Sequence, residues 1–261
     1  MTGLIRAEWL KLRTTRLSYG LLATAVGLTG LFTVLEASRA GVGRPVPPLN
    51  TASGLNTVIT GGVWGLLLAA VLGVTLSSGE FRHRTATMTY LASPHRGRVL
   101  AAKAAAGALG GGIFGVVGYL IALAAGLAFV AGHGYQVTVG DATLARYGIG
   151  HLLAGALLAV IGVGVGSLVR SQIAGVIGVL VWAIVIESVI GGLFTSVRPY
   201  LPYTAATTLS GTALGSAAFG PAHSVSGGSP LPFAAAVGLL AALAAVLAVL
   251  ANRTTVRADV T

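Results

Sequence analysis

Residues 79–103 read GEFRHRTATMTYLASPHRGRVLAAK. Five of the chain's sixteen Lys and Arg residues fall here, at Arg82, Arg84, Arg96, Arg98 and Lys103. Apolar runs flank the stretch at 54–78 and 99–131. Each exceeds the ~20 residues that a helix needs to cross a hydrocarbon core. Short loops rich in Lys and Arg stay on the cytoplasmic side of a membrane. The stretch therefore orients a multi-pass helical protein and gives every other segment a reference.

Composition agrees with this reading. The chain has 261 residues, of which 55% are hydrophobic and 8% charged, and a mean hydropathy of +0.89. A water-soluble domain carries roughly 25% charged residues. The net charge of +10 does not point to nucleic acid, because the basic residues sit between apolar runs rather than along one face. With no Cys, disulfides, thiolate metal sites and Cys nucleophiles are excluded. Lysine is scarce: Lys11 and Lys103 stand against fourteen arginines.

Toward the N-terminus, residues 1–16 hold Arg6, Lys11, Arg13 and Arg16. Ile5, Trp9 and Leu12 share one helical face, which predicts an interfacial helix anchored by Trp9, Lys11, Arg13 and Arg16; an unstructured basic tail is the alternative. The run 17–35 is too long for the ~7–15-residue core of a signal peptide and is expected to be an uncleaved first span. Residues 36–53 contain Arg39, Arg44, Pro45, Pro47 and Pro48, turn-forming chemistry, and the second span covers 54–78.

Toward the C-terminus, spans are expected at 99–131, 147–169, 173–194 and 231–251. A polar outer loop covers 133–146, and Arg170-Ser171-Gln172 makes a tight turn. Residues 195–230 mix Ala, Gly, Ser and Thr with four prolines and contain no convincing span; pieces such as 204–219 suit half-helices that dip into the outer leaflet. With both termini inside, twelve of the sixteen Lys and Arg lie on the cytoplasmic side, which favours six spans. Close-spaced glycines, among them Gly107, Gly111, Gly115, Gly118, Gly162, Gly166, Gly175 and Gly178, predict a tight bundle.

Little here can carry catalysis. Neither lysine lies in G-x-x-x-x-G-K-[ST], so no phosphate-gripping loop of that type is present. There is no H-E-x-x-H pair and no G-x-S-x-G elbow, and no metal or cofactor site is expected. One acid, Glu187, lies deep in an apolar run, roughly 21 Å along the fifth span at 1.5 Å per residue. Such a group has a partner or water. It either lies on a substrate path or proton relay, or accepts hydrogen bonds from the backbone of the returning outer half-helices.

Three pieces, in this order, resemble bacterial ATP-binding-cassette exporter permeases of type 2: IRAEWLKLRTTR at 5–16, the stretch 79–103, and the Trp182-x-x-x-x-Glu187 span followed by RPYLP at 198–202. The likeness covers the whole chain, 1–261, as a single permease domain. It implies an all-α fold of six transmembrane helices with an N-terminal interfacial helix. Between spans 2 and 3, residues 79–98 would hold a cytoplasmic coupling helix, and re-entrant outer helices would occupy 195–230. It also implies two copies of a separate ATPase subunit, which bind the ATP and Mg, and a second permease subunit, identical or related. The residues that would couple to the ATPase are Glu80, Phe81, Arg82, His83, Arg84, Thr85, Met88 and Leu91, with Glu80 capping the first turn or pairing with an Arg. The chain would then be a transport subunit in the bacterial cell membrane, with no enzyme activity of its own, moving a hydrophobic or amphipathic cargo.

Three rivals remain. A carrier driven by an ion gradient would use Glu187 as its ion site, and usually shows two related halves, which this chain lacks. A membrane-embedded enzyme acting on lipid needs more polar residues in facing spans. A non-transporting anchor or sensor would need only the charge of the basic loop.

Overall fold

The computed structural model describes residues 1–40, 48–59, 61–82, 96–136, 139–211 and 230–257. Every regular element among them is helical. Helix α1 spans Thr2–Thr14 and turns at Thr15 into α2, Arg16–Arg39. The second span is two helices, α3 (Ala52–Ile59) and α4 (Val63–Arg82). Next come α5 (Arg96–Gly132) and α6 (Asp141–Val169). The fifth span starts as α7 (Gln172–Val181), passes through a π-helical turn at Trp182–Ile186 and ends as α8 (Glu187–Leu193). A 3-10 turn at Arg198–Tyr200 leads into α9 (Pro202–Leu209), and α10 covers Phe233–Arg257.

Six helices are long and apolar enough to cross a membrane, so the protein is an all-α, multi-pass membrane protein. Their boundaries lie within a few residues of the expected ones, except at the start of α6 and at the end of α10. At 37 residues α5 is about 55 Å long, against a hydrocarbon core of ~30 Å. The other departure is in span 2, expected to be continuous over 54–78 but broken between Ile59 and Val63. Glycines at 61 and 62 account for part of this. A Cβ at 62 would stand 2.8 Å from His151 Nε2 and 2.9 Å from the Gly118 carbonyl carbon, so that position admits only glycine.

Helices α4 and α6 form the centre. Within its apolar window α4 is 78% buried, whereas spans 5 and 6 are 17% buried at the rim. Backbones touch along this centre: a Cβ on Gly162 would run into Ala70 O, and one on Gly166 would lie 2.6 Å from Val74 O. Gly111 and Gly155 form an equivalent seam between α5 and α6, each facing the other's carbonyl oxygen. Lipid supplies no hydrophobic drive between helices, so such close approach recovers stability through dispersion. The expected glycine packing thus holds at these positions, but a Cβ at Gly178 would meet nothing within 4 Å.

Two connections show why the chain turns where it does. Arg170 takes a left-handed conformation (φ 55°) that ends α6, and Ser171 Oγ accepts the Ala174 N–H at 3.4 Å to open α7. Residues 83–95 and 212–229 lie outside the described residues. The core of the expected coupling helix and half of the expected outer re-entrant region, 195–230, fall there.

Candidate functional site

Four charged side chains from three helices meet at one end of the bundle. Glu8 and Lys11 are one turn apart on α1, Glu80 lies in the last turn of α4, and Lys103 is eight residues into α5. Lys11 Nζ lies 2.7 Å from Glu8 Oε1 and 2.8 Å from Glu80 Oε1. Lys103 Nζ lies 2.7 Å from Glu80 Oε1 and 3.1 Å from Glu8 Oε2. Each ammonium therefore touches both carboxylates, and the ring is neutral.

Burial makes the ring consequential. Glu8, Glu80 and Lys103 are all buried, and a charge there is costly unless paired and hydrogen-bonded. Lys11 alone reaches solvent, with its side chain 46% exposed. Burial lowers the affinity of its amine for a proton, but hydrogen bonds and charge from Glu8 and Glu80 outweigh this and hold its pKa above the usual lysine value. A compact ammonium with three donors can sit between two carboxylates, where a planar guanidinium fork would demand more room. Both lysines of the chain are used here.

The sequence suggests separate roles for Lys11 and Glu80 and assigns none to Glu8 or Lys103. Glu80 belongs to the last turn of α4 and pairs with the two lysines. Trp9 packs against a cluster that includes Leu12, Leu72, Ala106 and Phe114, so the apolar face of α1 lies on the protein. Arg13 and Arg16 are exposed. Phe81 and Arg82 continue α4, while their side chains, together with His83, Arg84, Thr85, Met88 and Leu91, are outside the described residues.

At the other end stands Glu187. Its carboxylate accepts hydrogen bonds from Trp182 Nε1–H at 3.0 Å, Tyr203 N–H at 2.7 Å, and Thr204 N–H and Oγ1–H at 2.9 and 3.0 Å. The two backbone donors belong to the first turn of α9, where helix N–H groups have no intrahelical acceptor. Pro202 opens that turn without an N–H of its own. The carboxylate therefore caps α9 with help from the helix dipole. Tyr203 in turn donates its hydroxyl to Val63 O at 2.7 Å, tying α9 to the start of α4.

Beside Glu187 lies a cavity of about 290 Å³ between α4, α6, α7, α9 and α10. Leu67, Leu158, Ile161, Trp182, Tyr203 and Leu243 are among its walls. It accommodates an apolar group and offers no catalytic pairing. Among the described residues no three His, Cys, Asp or Glu side chains converge to hold a metal ion. No protein-family model matches the chain, and no curated protein matches it.

Proposed function

We propose that this chain is the membrane-spanning subunit of an ATP-driven exporter of the ATP-binding-cassette type 2 class. It has no enzyme activity of its own; a separate ATPase, in two copies, binds ATP and Mg, and a second permease subunit completes the path. The observation that carries this reading is the charge ring. It pins α1 to α4 and α5, the two helices that bracket the basic loop. A push on that loop would then move three helices together, and α4 leads directly to the apolar cavity. Rigid movement of packed elements is how such displacements travel. The twelve cationic residues of the inward segments support a cytoplasmic location for loop and termini, and the exporter reading puts the protein in a bacterial cell membrane.

Cargo that fits an apolar cavity is hydrophobic or amphipathic, such as a drug, natural product, peptide antibiotic or lipid. A gradient-driven carrier working through Glu187 is less well supported, because four donors already engage that carboxylate.

Purification from native membranes in mild detergent tests the reading. An ATPase chain should copurify, and its hydrolysis in vesicles should be stimulated by the permease. Arg82→Ala/Arg84→Ala, which spares the ring, should keep the protein inserted and abolish that stimulation. Transport by the purified chain without ATP or an ATPase would overturn the proposal.

A further inference from the structure

The break in span 2 faces an unusual group of oxygens. Thr29, Thr33 and Glu36 lie at i, i+4 and i+7 on α2, hence on one face. Thr29 and Thr33 are 0% and 1% exposed. Among the described residues neither hydroxyl has a hydrogen-bond partner, nor has Glu36 Oε1. A threonine within a helix ordinarily bonds back to the carbonyl four residues earlier, as Thr24 does to Gly20 O at 2.9 Å; Thr29 and Thr33 do not.

Of these, Thr33 Oγ1 lies by the open side of Gly61, together with the second Glu36 oxygen and with Val58 O, which keeps one lone pair after accepting the Gly61 N–H at 3.1 Å. A Cβ on Gly61 would stand 3.1 Å from Val58 O, 3.2 Å from Thr33 Oγ1 and 4.0 Å from Glu36 Oε2. A carbonyl, a hydroxyl and a carboxylate thus converge on space that glycine leaves open. Among the described residues Glu36 has no ion-pair partner, and Arg39, one turn on, is exposed. Phe32 and Trp64, with ring centroids 4.7 Å apart, hold α2 against the first turn of α4 beside the break.

Carbonyl, hydroxyl and carboxylate oxygens replace the hydration shell of a hard cation. A single carboxylate balances one positive charge rather than two. Interrupted membrane helices, whose freed carbonyls face a cavity, are suited to holding such ions. We propose that the break between α3 and α4 is a binding site for a monovalent metal cation, ligated by Glu36, Thr33 and the Val58 carbonyl. The ion reaches it from the nearby end of α2, where Glu36 is only half-buried three residues before Arg39. Its function is to close the broken helix with charge. The inference does not rest on the exporter reading, since a bound ion need not supply the drive for transport.

Thermal unfolding of the full chain in detergent tests it, with NaCl, KCl and LiCl compared against N-methylglucamine chloride at equal ionic strength. At least one metal cation should raise Tm saturably, by about 3 °C at roughly ten times its Kd. Glu36→Gln removes the charge, and Gly61→Ala keeps the carboxylate but fills that space; both should abolish the rise. If Glu36→Gln does not fold, Thr33→Val takes its place. Equal Tm in all four salts overturns the proposal, as does a cation-dependent rise that survives unchanged in either variant.

Discussion

Lys103 has almost no access to water and sits between two carboxylates. Its replacement by Met would remove from the ring the one cation that is itself buried and leave the half-exposed Lys11. Removing one partner of a buried pair costs on the order of 3–5 kcal/mol. Lys103→Met should therefore unfold at a markedly lower temperature, and Lys103→Met/Glu80→Gln should recover most of the loss, because Glu8 and Lys11 then balance. Lys11 makes a separate prediction about pH. Its pKa is raised on folding, so its contribution is complete below the unfolded value of about 10.4 and disappears as pH climbs through the folded value. The Tm difference between the natural protein and Lys11→Met should hold steady from neutral pH and shrink only in strong alkali. Little of this ring was legible in the sequence. Glu8 and Lys103 are 95 positions apart, and helical periodicity does not report which helix faces which. One clue was present: the chain's two lysines and two of its six acids all lie in or beside the basic segments.

Helices were far more legible than their partners. Long apolar runs locate spans to within a few residues, because the bilayer demands length and internal hydrogen bonding. The same rule hides the break in span 2, since glycines within an apolar run lower hydropathy hardly at all. Hydropathy also cannot tell which glycine lies in a seam. At Gly155 a Cβ would collide with Gly111 O and stand 3.2 Å from Gly115 Cα, whereas at Gly178 there is open space. Gly155→Ala should thus destabilise the protein by roughly 1–3 kcal/mol, as overpacking does. Gly178→Ala should be neutral or slightly stabilising, since alanine favours the helix. Melting curves of the two variants in one detergent compare them directly. Glu187 was legible as a deep acid, and one of its two expected roles, accepting hydrogen bonds from the backbone of a returning outer half-helix, is met by the first turn of α9 fifteen residues on.

Across the bundle, burial is uneven: the centre is closed around α4 and α6, while spans 5 and 6 show most of their surface. In the proposed orientation the ring lies on the cytoplasmic face and the loop at 133–140 on the opposite one. Because the chain has no cysteine, single-cysteine variants give an unambiguous readout of this. Arg13→Cys and Asn252→Cys should react with an impermeant thiol reagent only after cells are opened, and Tyr135→Cys should react in intact cells. The reverse pattern would invert the protein and remove the basis for an ATPase docking at 79–98.

Confining every lysine to one ring has a practical outcome for chemistry on the intact protein. Acylating reagents, biotin esters and amine cross-linkers have only the N-terminal amine, Lys11 and the shielded Lys103 to attack. Label arriving on Lys103 in native membranes would therefore time-stamp the moments when the first helix lifts away, giving a clock for that motion without any engineered probe.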